Sequence, residues 1–524
     1  MASYTCAADP LSLEKHRKQE GIGITSMNIQ QFLQHHGIQR NPFVDEDAQT
    51  DTVFKEGCID ETFHPAWDKV YGDPREPATA IVFGCKGSGK TAMLLQIARH
   101  LSKFNREHPD ERIFTITYND FNPFLDRFRM SQHFHRGDPL KLLQRWRLSD
   151  HMDAILSLGV TKLIDAIVGH GAPEETVAAD RLRDLPPHTV RDLLLLQTCY
   201  DQSSAEPVLN RWHMLRKKLR YAHWRAYLPM AVGVVGSLGV LTAAIAAVSQ
   251  GNGRWVSTYW YVWLGALMAV WGWWLQRFVL WTWRASRIRK HTRSLTLETN
   301  MLRHRLLRFS PRDLMNQPLP NKSSCEDRYE LLAKLQAVLA ELAFRGVIVL
   351  VDRVDEPELI NGDPQRIKAL VWPLLDNKFL KHPGLGVKMM LPEELKRFVD
   401  REDAAFYERA RLDKQNMISS FEWTPEALLD VANARIACCA DGDRSVTLFS
   451  LLSEDIRPER VKDALRELRV PRHLFKFCYR LLVAHCNAHT QTDPVWHVQL
   501  STFESELAVY LRDLHRFEQG LGAG

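Results

Sequence analysis

An α/β fold on a parallel sheet, interrupted by an inserted pair of apolar helices and completed by a helical C-terminal region, is the architecture this sequence predicts. Three observations predict it. Residues 84–91 read Gly-Cys-Lys-Gly-Ser-Gly-Lys-Thr, set between an apolar, β-branched run and a helical one. Two long uncharged spans lie between Glu206 and Glu298, a stretch without a single acidic residue. A second, fully apolar run, Val347–Val351, ends at Asp352. Strands alternating with helices and ending in polar turns are the pattern of a parallel sheet covered by helices.

The first 75 residues are largely polar, with a turn at Asn41-Pro-Phe43 followed by acidic residues. Residues 76–205 form the first half of the α/β core. Ala78–Phe83 reads as a strand, and Ala92–Leu101 has helical apolar spacing. Between them, the loop matches G-x-x-x-x-G-K-[ST], which cradles polyphosphates. Its glycines Gly84, Gly87 and Gly89 permit tight turning, so that the backbone N–H groups of Gly84, Cys85, Lys86, Gly87, Ser88, Gly89, Lys90, Thr91 and Ala92 converge on an anion. Lys90 is expected to reach the β- and γ-phosphates, and the Thr91 hydroxyl to ligate Mg²⁺. The following helix adds its positive dipole end. Ile113–Tyr118 reads as a strand, and Ser149–Val168 and His188–Tyr200 as helices.

Residues 206–298 carry the apolar insertion, with spans at about 228–248 and 256–276. Each approaches the roughly 20 residues needed to cross a hydrocarbon core of about 30 Å. Eight of the fifteen tryptophans lie between Trp255 and Trp283, an interfacial pattern. Arg211, Arg216, Lys217, Lys218, Arg220 and Arg225 precede the first span, and Arg277, Arg284, Arg287, Arg289, Lys290 and Arg293 follow the second. The connecting loop carries only Arg254. That asymmetry predicts a two-span integral hairpin in an inner or plasma membrane, with both terminal bodies cytoplasmic and the flanks facing anionic headgroups.

Residues 299–400 form the second half of the core. A helix from Asp327 to about Phe344, closed by Gly346 as a C-cap, leads into the strand Val347–Val351. A carboxylate where a buried strand ends can position Mg²⁺, so Asp352 is the candidate ligand alongside Thr91. Glu356, or Asp355, is the candidate for orienting and deprotonating a water. A further strand at Gly386–Leu391 could present a γ-phosphate sensor, with no residue singled out. Residues 401–524 read as a helical lid. Within it Arg409, Arg411 and Arg472 are candidate phosphate contacts, and Arg472 leads because it opens the helix Arg472–His485.

Composition narrows the alternatives. A net charge of +5 and dispersed basic residues outside the insertion argue against a nucleic-acid binder. Nine scattered cysteines without metal-ligand spacing point to reduced thiols, and His133–His135 lacks companion ligands. No N-terminal apolar signal is visible, so any membrane signal is internal.

A phosphate-binding loop, an apolar insertion ahead of the acidic motif and a helical lid together resemble the KAP family of membrane-associated P-loop NTPases. These belong to the STAND and AAA+-like division, whose core is a three-layer fold with an additional strand. The resemblance covers roughly residues 79–482. Val-Leu-Val-Asp-Arg-Val-Asp-Glu, ending at Glu356, is also similar to the acidic motif of NACHT-type STAND proteins. KAP proteins usually carry Asp-Asp-hydrophobic-Asp-Arg here, and NACHT proteins a small residue where Arg353 stands. The resemblance implies ATP as the nucleotide, and a setting in membrane signalling, scaffolding or anti-phage defence; with the motif residues read above, the expected cofactors are ATP and Mg²⁺ and the catalytic candidates Lys90, Asp355, Glu356 and Arg472. Three readings follow: an ATPase whose cycle switches conformation or assembly as a homo-oligomer with an unidentified protein partner, a non-hydrolysing nucleotide-gated scaffold, and a subunit of an oligomeric pore. GTP is disfavoured because Asn377-Lys378 is followed by Phe-Leu.

Overall fold

The computed structural model describes residues 26–518 except 133–136, 172–175, 204–206, 222–223, 252, 413–414 and 443–444. The His133–His135 run lies outside the described residues. The chain is α/β and forms two compact units: Ala66–Cys85 with Leu94–Phe421, and Met1–Pro65 with Lys86–Met93 and Glu422–Gly524.

The larger unit holds one all-parallel sheet of five strands: β1 (Ala80–Gly84), β2 (Arg112–Tyr118), β3 (Phe344–Val351), β4 (Leu385–Pro392) and β5 (Asn416–Ile418), in the order β2-β3-β4-β1-β5. β1 and β4 are buried along their whole length, as expected where helices cover both faces. One strand, β4, separates β1 from β3. Its register pairs Pro392 with Gly84 and Met389 with Val351, so β1 and β3 end at the same carboxyl edge.

The chain leaves β1 into helix α1 (Lys90–Glu107). Helices α2 (Leu148–Val168), α3 (Pro187–Tyr200) and α4 (Val208–Lys218) precede the apolar pair α5 (Trp224–Ser249) and α6 (Trp260–His291), and α7 (Thr299–Leu306) follows it. Buried ion pairs fasten this stem. Arg328 bonds Asp153 at 3.0 Å with both side chains fully buried, and it also donates to the His291 carbonyl at the end of α6. Arg293 meets Asp150 at 2.6 Å, and Arg211 bridges Asp165 and Asp201. Burial pushes the Asp150 carboxyl up to about 6, with Arg293 opposing the shift.

Among the described residues, one helix is both long and apolar enough to cross a membrane, Ala226–Ser249 within α5, and only 6% of its most apolar stretch is buried. The expected second span is different. α6 is a helix of 32 residues, but its apolar part is interrupted by seven tryptophans, Gln276 and Arg277. Indole and phenol rings are amphipathic, so an uncharged stretch rich in them falls short of the apolarity a span requires. The two-span expectation is thus unsupported at its second helix. The two helices nevertheless pack together. A Cβ on Gly236 would land inside the Val270 side chain, and Trp271 Nε1 donates to Ser237 Oγ at 2.8 Å.

A second correction concerns Gly346. Helix α8 (Glu326–Glu341) ends three residues before the sheet, and Ala343 takes the left-handed turn at φ 64°. Gly346 is already in β3, where a Cβ would come within 2.5 Å of Pro77 Cγ. Its role is close approach rather than capping.

The smaller unit is a helical body of α9 (Pro425–Cys439), α10 (Pro471–Ala488) and α11 (Leu500–Glu518), joined by the N-terminal helix Ile29–His35. Phe32, Leu33, Leu428, Ile436, Leu474 and Phe503 form part of its core. Thr424 caps α9 by accepting from Ala427 N at 3.2 Å, with Pro425 at the first helical position. A buried Arg435–Asp51 pair and an Arg435 bond to the Pro42 carbonyl, 2.7 Å long, anchor the N-terminal segment.

Candidate functional site

The loop following Cys85 turns through two left-handed glycines, Gly87 (φ 83°) and Gly89 (φ 92°), before α1 begins at Lys90. Within the smaller unit this loop is flanked by residues far along the chain. Arg472, near the start of α10, donates its backbone N–H to the Gly87 carbonyl at 3.3 Å. A Cβ on Gly87 would lie 2.7 Å from Arg472 Cβ and 3.0 Å from its Cδ, so glycine here admits the arginine stem. Trp423 donates from Nε1 to the Ser88 carbonyl at 2.7 Å, and its ring lies against Gly89. His64 packs edge-on to Trp423 with ring centroids 4.8 Å apart and bonds the Glu422 carbonyl at 2.8 Å. Burial lowers the His64 pKa to about 4, so the ring is neutral where it supports the indole.

Two polar atoms at the loop have no hydrogen-bond partner among the described residues. Ser88 Oγ and Arg472 Nε are both buried and unpaired. An orphaned hydroxyl and an orphaned guanidinium N–H beside left-handed glycines fit a phosphate-bearing ligand. The first turn of α1 carries no acidic residue to oppose that charge.

The acidic candidates lie in the larger unit at the carboxyl edge of the sheet, where Gly84 and Cys85 also leave β1. Asp352 is 5% exposed, and its backbone N–H donates to the Tyr118 carbonyl at 3.4 Å. Arg353 takes a left-handed φ of 56°, an uncommon conformation for a residue with a side chain. Its guanidinium lies 3.5 Å from the carboxylate of Glu356, the candidate base. The Asp355 carbonyl accepts from Gly362 N at 3.0 Å, which folds the turn back on itself. β4 ends at Pro392 and runs directly into Glu393 and Glu394 of the following helix. Arg409 stands 5.6 Å over the Phe406 ring, which stacks on Trp372, and lines a separate cavity, and Arg411 closes its helix at φ 46°.

Thr91 in the smaller unit offers a hydroxyl and Asp352 in the larger unit a carboxylate, each an oxygen ligand of the kind Mg²⁺ prefers. Among the described residues, no three His, Cys, Asp or Glu side chains gather into a dedicated metal cage. Sequence reasoning missed Trp423 and His64. Neither belongs to a motif, and each meets its partner across more than 300 residues of chain. Comparison with known protein families, with curated proteins and with solved structures finds no match to this chain.

Proposed function

We propose that this protein is a membrane-anchored ATPase that binds Mg-ATP at residues 84–92 and uses the nucleotide to drive a conformational or assembly switch. The observation that carries the reading is the strand, left-handed glycine loop and helix running from β1 into α1, with the complete phosphate-loop motif on it. The single strand between β1 and β3 supports the additional-strand core expected from the KAP resemblance. Bound Mg-ATP would supply a polarised γ-phosphoryl group to an attacking water. Lys90 would neutralise phosphate charge, Thr91 and Asp352 would hold the metal, and Glu356, or Asp355, would orient and deprotonate the water. Arg472 offers its unpaired Nε to the loop's ligand. The proposed anchor is a hairpin of the exposed α5 and a returning, tryptophan-rich α6 packed along it, which keeps both bodies on the cytoplasmic side as the flanking arginines favour. Homo-oligomerisation and an unidentified protein partner complete the proposed cycle.

The Arg353–Glu356 contact favours a second reading, a scaffold gated by nucleotide without turnover, because a base held by an arginine is not poised for water. One assay separates the two. Detergent-purified protein, Lys90→Ala and Glu356→Gln are compared for ATP binding and phosphate release. The ATPase reading expects at least a hundredfold loss of turnover in both variants, with binding kept in Glu356→Gln. Tight binding without release by the parent protein, and by an Arg353→Ala variant that frees the base, would establish the scaffold instead.

A further inference from the structure

We infer that the stem of the apolar hairpin carries a binding site for the phosphoryl group of an anionic membrane lipid, formed by His213 and Arg216 of α4 with Arg303, His304 and Arg308 in and after α7. The inference rests on the membrane reading of α5 and α6. It assigns a specific ligand to a defined cluster, which a general attraction between basic flanks and headgroups does not.

The cluster is built from groups of one sign. Arg308 Nη1 lies 2.7 Å from His213 Nε2, and its other terminal nitrogen lies 3.4 Å from His304 Nε2. Arg308 and Arg216 both stand over the Trp212 indole, at 5.1 and 5.7 Å from the ring centroid. No ion pair joins Arg303 or Arg308 to a carboxylate among the described residues. The charged neighbours that act on His213 are Arg216 and Arg308, and those on His304 are Arg303, Arg305, Arg308 and His213. Arg308 itself faces Arg216 and the Tyr227 hydroxyl of α5. Arginines without a carboxylate partner, as Arg303 and Arg308 are among the described residues, repel one another and favour an added anion. Here the imidazoles serve as neutral hydrogen-bond acceptors for an arginine, a partnership that an anion would replace with stronger, charge-assisted bonds.

Position identifies the anion's source. Arg303 lies 4.4 Å over the ring of Phe278, two residues beyond the expected end of the second span at 276. Tyr227 stands at the start of the apolar stretch of α5. Arg277 ties that level together by donating to the carbonyls of Ala226, Leu307 and Phe309. The cluster therefore sits where the apolar helices enter the body, at the depth of lipid headgroups once they are inserted. A phosphate monoester suits a cluster of arginines better than a carboxylate does, since it offers three oxygens and up to two charges.

The test uses the full chain in nanodiscs of phosphatidylcholine, with or without a minor fraction of phosphatidic acid, and native mass spectrometry to count retained lipid. Retention of phosphatidic acid over phosphatidylcholine is expected. It should fall by more than tenfold in Arg303→Gln/Arg308→Gln, at roughly fivefold per arginine. Arg284→Gln/Arg287→Gln removes equal charge from the same helix stem and is expected to keep the preference. Retention by the parent protein should rise as pH falls from 8 to 6, because a bound dianion draws protons onto His213 and His304, and His213→Gln/His304→Gln should flatten that rise. Equal losses in both arginine pairs would overturn the site in favour of diffuse attraction. Displacement of the lipid by millimolar inorganic phosphate would overturn the lipid assignment in favour of a soluble phosphate. Failure of the protein to enter phosphatidylcholine discs at all would reject the membrane reading, whereas insertion without any lipid preference would reject this site alone.

Discussion

The glycine-rich loop and the apolar hairpin both depend on glycine, but for different physical reasons. In the loop, Gly87 supplies a left-handed backbone and leaves room for the stem of Arg472. In the hairpin, Gly236 is ordinary helix, and its missing side chain lets α6 bring Val270 against the α5 backbone. The first use is written into a contiguous motif and can be read from the sequence. The second depends on which residue of another helix arrives opposite, and no local pattern states that. Conformation is a local property of a chain, while close approach is a property of a pair.

The sharpest way to break this contrast is Gly87→Val, which meets both demands at once. A β-branched residue at φ 83° and a clash with Arg472 should together cost about 2–4 kcal/mol, read as a fall in the denaturant midpoint of the loop-bearing unit. An unchanged midpoint would mean that Arg472 does not rest on the loop. In the hairpin, Gly236→Ile should overpack against Val270 at about 1–3 kcal/mol and open α5 and α6 to proteolysis. Gly239→Ile is the matched control, since a Cβ there meets nothing within 4 Å. Equal effects at the two positions would show that lost helix flexibility, not packing, is being measured.

Acid distinguishes the regions by a third route. His64, His36 and His485 in the loop-bearing unit all have pKa values lowered chiefly by burial, so the unfolded chain binds protons more readily than the folded one. Their contribution is present above the unfolded value near 6.5 and is lost as pH falls below it. For His64, lowered to about 4, the slope is about 1.4 kcal/mol per pH unit between those limits. Urea melts at pH 7.5 and 5.5 should record that loss, and His64→Gln should reduce it. The smallest expected effect belongs to Trp423→Phe, which keeps the ring and removes the donor to Ser88. A loss of about 1 kcal/mol in stability is expected, with weaker ATP binding if the indole holds the loop in its binding shape.

The strands and helices beside the motifs were legible because each carries its own periodicity: β1, β2, β3 and β4 were read to within a few residues, as was the cap at Thr424. Gly346 was misread because a glycine after a helical run suggests a C-cap, and only the sheet reveals that Pro77 crosses it. The second span was less legible, because absence of charge alone does not establish apolarity in a stretch dominated by indoles. Candidate residues within the loop and the acidic motif came from spacing alone. Trp423, His64 and the Arg353–Glu356 contact became visible only with the fold, since each depends on a turn or a partner that spacing does not encode.

The Arg472 stem resting on Gly87 also bears on how this protein tolerates change. The general phosphate-loop pattern leaves that position unrestricted, so a motif-guided substitution there would be judged harmless. In this chain the position is shared between two distant segments, and a variant acceptable to the loop must also be acceptable to residue 472. A saturation library at 87 should accept little but glycine with arginine at 472 and broaden when 472 is alanine. Sequence drift at either site is thereby yoked to the other.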